Sequence, residues 1–128
     1  MIDANKRIAR KFVEDVINTG DLDRVAEFIA APDVAAARQH VLSVRDAYPD
    51  LHVTVSQQIA EDDFVVTVVT ARGTHKGLFW GIPASNKLIT IEGVNIDRVR
   101  DGKIVEHKGV ASTLEGLMAA NALPWQND

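Results

Sequence analysis

The chain has 128 residues, 46% of them hydrophobic, which suffices for one domain with its own core and leaves no material for a second. It has no cysteine, so a disulfide framework and a thiol nucleophile are both excluded. The net charge is −4, Arg98, Arg100, Lys103 and Lys108 alternate with Asp97, Asp101 and Glu106, and no apolar run nears the roughly 18 residues of a membrane span; a cytoplasmic protein with neither nucleic-acid nor membrane partners is expected.

From Asp3 to Thr19 the apolar residues Ile8, Ala9, Phe12, Val13, Val16 and Ile17 recur at three and four, the stripe of an amphipathic helix that ends at Asn18-Thr19-Gly20. Asp21 is placed to cap a shorter helix with Leu22, Val25, Phe28 and Ile29 on one face, stopped at Ala31-Pro32. A third helix is expected after Asp33, where Val34, Ala37, Val41, Val44 and Tyr48 keep helical spacing up to Pro49. His40 on this helix and His52 beyond it read as ordinary surface residues.

After Asp50 the period becomes two. Leu51, Val53, Val55, Gln57 and Ile59 alternate with polar residues as a half-buried strand, Glu61-Asp62-Asp63 turns the chain, and Phe64 to Ala71 forms a β-branched run suited to a central strand. A crossing loop from Gly73 to Pro83 carries His75, Phe79 and Trp80 and is apolar enough to pack against the core or a partner. Then comes a long hairpin, Lys87 to Val99 and Lys103 to Ala111, around Arg100-Asp101-Gly102. Ser112 and Glu115 have capping-box spacing for a last short helix with Leu114, Leu117 and Met118, and Leu123-Pro124-Trp125 follows it. Helices first and an antiparallel sheet afterwards predict an α+β domain whose helices cover one face of a curved sheet, with a small-molecule cavity between the layers.

The hairpin turn decides which polar side chains meet. A three-residue loop closed by Gly102 as a bulge pairs odd positions with odd ones, and Asn95, Asp97, Val105, His107 and Gly109 then share a face. A two-residue type I′ turn at Asp101-Gly102 pairs odd with even and sets Asp97 opposite Glu106. Both are open to this sequence.

Three runs, G-T-H-K-G-x-x-x-G-I-P from Gly73 to Pro83, E-G-V-N-I-x-R-V-R-D-G-K-I-V-E-H from Glu92 to His107, and E-G-L-M from Glu115 to Met118, resemble the SnoaL-like polyketide cyclases of the NTF2-like superfamily. The resemblance covers nearly the whole chain and is weakest between Pro32 and Pro49. It implies a cone-shaped α+β barrel, a homodimer or tetramer, and ring closure by intramolecular aldol condensation without metal or cofactor. The family's acid-base Asp, two residues after the His of the E-H motif, falls at Gly109, and its partner His on the preceding strand falls at Asn95. Its pocket Asn falls within Asp33 to Ala37, which contains no Asn; Lys108 and Asp97 stand where many relatives have Trp and an apolar aromatic. His75 and His107 match.

Gly109 supplies neither a base nor a donor, so the chemistry is sought in other residues. In the odd-with-odd register Asp97 can hold His107 in one tautomer and raise its basicity, with Asn95 as an amide donor beside them. The competing reading turns Asp97 to solvent beside Glu106 and Lys108, in an ion pair worth roughly 0 to 1 kcal/mol. His75, Trp80, Phe79 and, as a second acid, Glu92 are candidate ligand contacts, each with a packing or loop-bonding alternative. No metal site is expected, since His75 and His107 lack a third ligand at a recognisable spacing. The expected ligand is a small apolar or carbonyl-containing molecule. A non-catalytic binding or assembly domain is the alternative, because superfamily membership does not fix activity.

Overall fold

A computed structural model describes residues 2–127. The N-terminal amphipathic segment starts as α1 (Ile2–Lys11) and widens into a π-helical stretch at Phe12–Ile17, where the Asn18 amide donates to the Val13 carbonyl, five residues back, at 3.0 Å. Such a widening re-aims side chains by part of a turn. Here Val13 and Val16 are buried, and Gly20 takes a φ of +74° as the chain leaves the helix. The Asn18 side chain both donates to the Val53 carbonyl and accepts from the Val53 amide, at 2.9 and 2.7 Å, so the helix end is tied to the first strand.

Asp21 accepts from the Asp23 amide and opens a 3-10 turn, Leu22–Arg24, that runs into the single-turn α2 (Val25–Phe28). Ile29 then bridges to Ile104, and the Ala30 amide donates to the Ile104 carbonyl. A second 3-10 turn at Ala31–Asp33, with Pro32 inside it, leads to α3 (Val34–Ala47), which stops at Tyr48 just before Pro49. Proline at residue 49 disfavours helical geometry for the residue before it.

The sheet consists of β1 (His52–Glu61), β2 (Phe64–Thr74), β3 (Leu88–Arg100) and β4 (Lys103–Ala111), antiparallel and in sequence order. The run from Phe64 is central, as its β-branched composition predicts. Its Val65, Thr67 and Val69 are buried on the face that meets the helices. Strict alternation fails in β1. A bulge between Val55 and Gln57 sends Gln58 inward, where it donates to the Lys6 carbonyl and to Thr67, and turns Ile59 out to solvent at 54% exposure. The expected inward row of Leu51, Val53, Val55, Gln57 and Ile59 thus holds only up to Val55, since an extra residue inverts the parity of all that follow.

The β1–β2 turn also holds the tip of the long hairpin. Asp63 accepts from Arg98 at 3.0 Å and from Arg100 at 2.9 Å, and its carbonyl accepts from the Val99 amide at 2.7 Å. Hydrogen bonds from Arg100 first, then Arg98, hold the Asp63 carboxyl below the usual range.

The last helix, α4 (Thr113–Ala119), packs on β3. Its cap differs from expectation: Ser112 makes no side-chain cap bond, and its hydroxyl instead bonds the amide and carbonyl of Glu92, at 3.1 and 3.2 Å. Strand pairing at this corner takes the hydroxyl before the helix can. One apolar cluster joins α1, α2, α3 and the hairpin tip through Val16, Val25, Val41, Val65, Val99 and Ile104; another gathers Ala47, Tyr48, Ile89, Leu117 and Leu123 under α4. Among the described residues, no helix is long and apolar enough to cross a membrane. The architecture is the expected α+β one, a curved antiparallel sheet with helices on its concave side.

Candidate functional site

The site is set by how the long hairpin turns. Asp101 and Gly102 have φ of 51° and 76°, the signs of a two-residue type I′ turn, and Arg100 pairs with Lys103 and Val99 with Ile104. One step later Arg98 pairs with Glu106, so Val105 is an extra residue in β4 and forms a bulge. Neither sequence alternative is complete: the tight turn forms, yet the bulge restores odd-with-odd pairing below it. Asp97 therefore lies directly opposite His107, and Asn95 opposite Gly109.

Asp97 is 5% exposed, and its Oδ1 lies 2.6 Å from His107 Nδ1. The solvent-facing alternative for Asp97 is overturned. A buried carboxylate without a partner would cost several kcal/mol, and the imidazole is the partner that removes this penalty. Because a carboxylate only accepts, Nδ1 carries the proton and Nε2 is left for other work. The hydrogen bond from Asp97 pushes the His107 pKa above its usual 6.5, against the opposing effect of partial burial.

Gly109 determines what Nε2 meets. A Cβ at residue 109 would stand 3.5 Å from His107 Nε2 and 3.5 Å from Asn95 Oδ1, so the glycine leaves free space against both polar groups. That space belongs to a cavity between the concave sheet face, α1 and α3. It has two adjoining lobes, about 540 and about 560 Å³, which share Val13, Ile17, His40, Asn95 and His107. The first lobe is walled mainly by aliphatic and aromatic side chains, including Tyr48, Phe79, Trp80 and Ile89. A mostly apolar chamber with a few convergent polar groups is the usual form of a small-molecule site.

The other candidates separate clearly. Phe79 and Trp80 stack on each other, with centroids 5.6 Å apart, and both line the first lobe; Phe79 also meets Tyr48 edge-on. His75 does not reach the cavity wall. It is fully buried, its Nδ1 bonds Ser85 Oγ at 3.0 Å, and its ring lies against Tyr48, so it organises the crossing loop. Glu92 belongs to the opposite face of the sheet: the parity that turns Asn95 and Asp97 inward turns Glu92 out, exposed and away from both lobes.

His40 is the residue that the sequence reading missed. It is exposed, as expected of a surface histidine, yet it also lines both lobes and faces the strand wall that carries His107. Partial desolvation against the cavity wall, and then the charge of His107, push its pKa down. The signal was present in its position, three residues after Ala37 and four before Val44, at the edge of the apolar stripe of α3. Among the described residues no cluster of three or more His, Asp or Glu side chains is arranged to hold a metal ion.

Comparison with known proteins agrees with this architecture. The family model for SnoaL-like polyketide cyclases matches residues 7–119. Wild-type IdmH from Streptomyces antibioticus, a candidate polyketide cyclase, is 27% identical with a TM-score of 0.77, over 89% of this chain and 96% of that one. AclR from Streptomyces galilaeus, a candidate hydroxylase, is 26% identical with a TM-score of 0.81, over 97% and 89%. A candidate SnoaL-like polyketide cyclase from a Jannaschia species, at 20% identity, shares the fold with a TM-score of 0.83, over 95% and 94%. No curated protein matches by sequence. With 113 consecutive positions matched, from residue 7 to residue 119, on a curved sheet capped by helices, the chain belongs to the SnoaL-like polyketide cyclase family and has its NTF2-like fold.

Proposed function

We propose that this protein is a cofactor-free acid-base enzyme acting on a small carbonyl compound, by cyclisation or isomerisation through an enol. The Asp97–His107 dyad opening into an apolar cavity carries this reading. Enolisation needs a proton moved near a carbonyl and a donor for the oxygen that gains charge. His107 Nε2 borders the space left by Gly109, where a carbonyl oxygen can be received, and Asn95 presents its Oδ1 to the same space as an acceptor for a hydroxyl of the ligand or of its enol. Asp97 keeps His107 charged to higher pH than a free imidazole, which suits it to that oxygen. Gly109, standing where the resemblance places an acid-base Asp, favours a second reading, a binding or assembly domain without turnover.

2-Tetralone, a rigid bicyclic ketone with exchangeable α-protons, separates the two. Wild-type protein in D2O is expected to speed its α-proton exchange, followed by 1H NMR, well beyond an equal concentration of free imidazole; His107→Gln should lose most of that excess, about 10²-fold or more. Binding of the ketone, seen as shifts of Asn95 and His107 resonances, without any excess exchange would establish the non-catalytic reading instead.

We infer further that two copies associate through the convex face of the sheet. Its cross-strand rows Ile59–Val66–Ile96 and Val68–Val94–Val110 form an apolar band, with Val110 72% exposed. Contiguous apolar surface of this kind usually marks an interaction site. Sedimentation should give a dimer for the wild type and a monomer for Ile96→Lys with Val110→Lys; an unchanged sedimentation coefficient would assign the contact elsewhere.

A further inference from the structure

We propose that His40 is a second catalytic residue of the cavity, the base that takes a proton from the carbon beside a bound carbonyl while His107 protonates the carbonyl oxygen. This rests on the acid-base reading above and gives that reading its direction.

His40 reaches the cavity from α3, whereas Asn95 and His107 reach it from β3 and β4, so a ligand in the shared part of the two lobes has His107 and Asn95 on one side and His40 on the other. No described residue hydrogen-bonds the His40 ring, which leaves its nitrogens free for a ligand. A one-sided site can bind a carbonyl. Enolisation needs two groups at two atoms, one at carbon and one at oxygen.

The other titratable groups on the cavity wall serve less well. Tyr48 is nine-tenths or more buried and its phenol is pushed up to about 12 by burial, so it stays neutral and cannot act as a base near neutral pH. Glu106 lies 3.5 Å from Arg98 in an outward pair, and Lys108 is opposite Ile96 in the next outward row. Asp33 lines the second lobe alone, whereas Gly109, beside which Nε2 is free, lines the first. His40 is the group common to both.

The two imidazoles are also tuned apart. Partial desolvation and the neighbouring His107 charge favour neutral His40; the Asp97 hydrogen bond favours charged His107. Over the pH range between their pKa values, an unprotonated base and a protonated acid coexist, the combination that concerted enolisation requires. In the step, the α C–H bond breaks and its proton goes to a His40 nitrogen. The C–H electron pair becomes the C=C bond, the carbonyl π pair moves to oxygen, and that oxygen takes the proton from His107 Nε2. Reversal after exchange of the His40 proton with solvent puts deuterium on carbon.

The test is the pD profile of 2-tetralone exchange for the wild type, His40→Gln, His40→Ala and His107→Gln. The wild type should show a bell, rising through a value below 6.5 as His40 deprotonates and falling through a value above 6.5 as His107 deprotonates. His40→Gln should lose at least 100-fold at the plateau together with the acid limb, while His107 still titrates above 6.5 by NMR. Added imidazole should restore part of the rate to His40→Ala, which a packing role for the side chain would not permit. Wild-type rate and an intact acid limb in His40→Gln would overturn the proposal and leave the dyad reading standing. A wild type no faster than free imidazole would instead remove the enzymatic reading, and the role of His40 with it.

Discussion

Asp97→Asn is expected to move the His107 pKa from above 6.5 to below it and to cut carbonyl turnover by about 10² to 10⁴. The sign follows from what remains after the change. The hydrogen bond with Asp97 is the largest influence raising the imidazole, and partial burial is the influence opposing it; an amide in place of the carboxylate removes the first and leaves the second. His107 would then be mostly neutral at pH 7 and a poor donor to a forming enolate. Asn can still hold the ring through its amide oxygen, so positioning is largely preserved and the loss reports charge. A 1H–15N NMR titration of His107 in both proteins gives the shift directly, and an unchanged value would mean that the 2.6 Å contact is not an ionic one.

The same linkage gives a stability signature. A folded-state pKa above the unfolded value means that His107 contributes stability in full below about 6.5, and that this contribution fades as pH rises through the folded value. His40 works in the opposite sense: its lowered pKa means that the native state loses stability as pH falls below about 6.5 and the ring is forced to charge. In Asp97→Asn this acid-side contribution should disappear, and with it the fading as pH rises, so the variant loses less stability than the wild type between pH 6 and pH 8.

Most of the architecture was legible because it rests on period. The apolar spacing from Ile8 to Ile17 and from Val34 to Tyr48 gave two helices, Pro49 gave the end of one, and the β-branched run from Phe64 gave the central strand. What was not legible rests on single extra residues. Ser56 and Val105 each add one position to a strand, and nothing in their chemistry marks them as bulges; yet the first sends Ile59 to solvent and the second brings Asp97 opposite His107. The site lay one bulge beyond the reach of pattern. His40 was missed for a related reason: a polar residue at the border of an apolar stripe reads as surface until the opposing wall is known to stand off from it, and here α3 and the sheet leave a cavity between them. Ser112 shows a competition that spacing alone does not settle, since its hydroxyl had two sets of backbone groups within reach and took those of Glu92.

The largest loss of stability is expected under α4. Leu117 is fully buried among Ala47, Tyr48, Ile89, Ala122 and Leu123, and Leu117→Ala should cost about 2–5 kcal/mol in urea unfolding, the transfer of the side chain plus the cavity it leaves. Gly116, one residue earlier, tests the same contact by addition. A Cβ there would stand 2.5 Å from the Thr90 carbonyl oxygen and 2.9 Å from Ile91 Cγ1. The first of these is backbone within β3, which cannot swing aside as a side-chain tip can, so Gly116→Ala should destabilise by about 1–3 kcal/mol. The better helix propensity of alanine, worth about 1 kcal/mol, works against this and is outweighed. Because Ile89, Ile91 and Thr113 also wall the first lobe, lifting α4 should weaken 2-tetralone binding in Gly116→Ala while leaving the His107 titration in place. A Gly116→Ala protein as stable as the wild type would show that α4 can retreat from β3 at no cost, and the apolar end of the cavity would then be set by the crossing loop rather than by this helix.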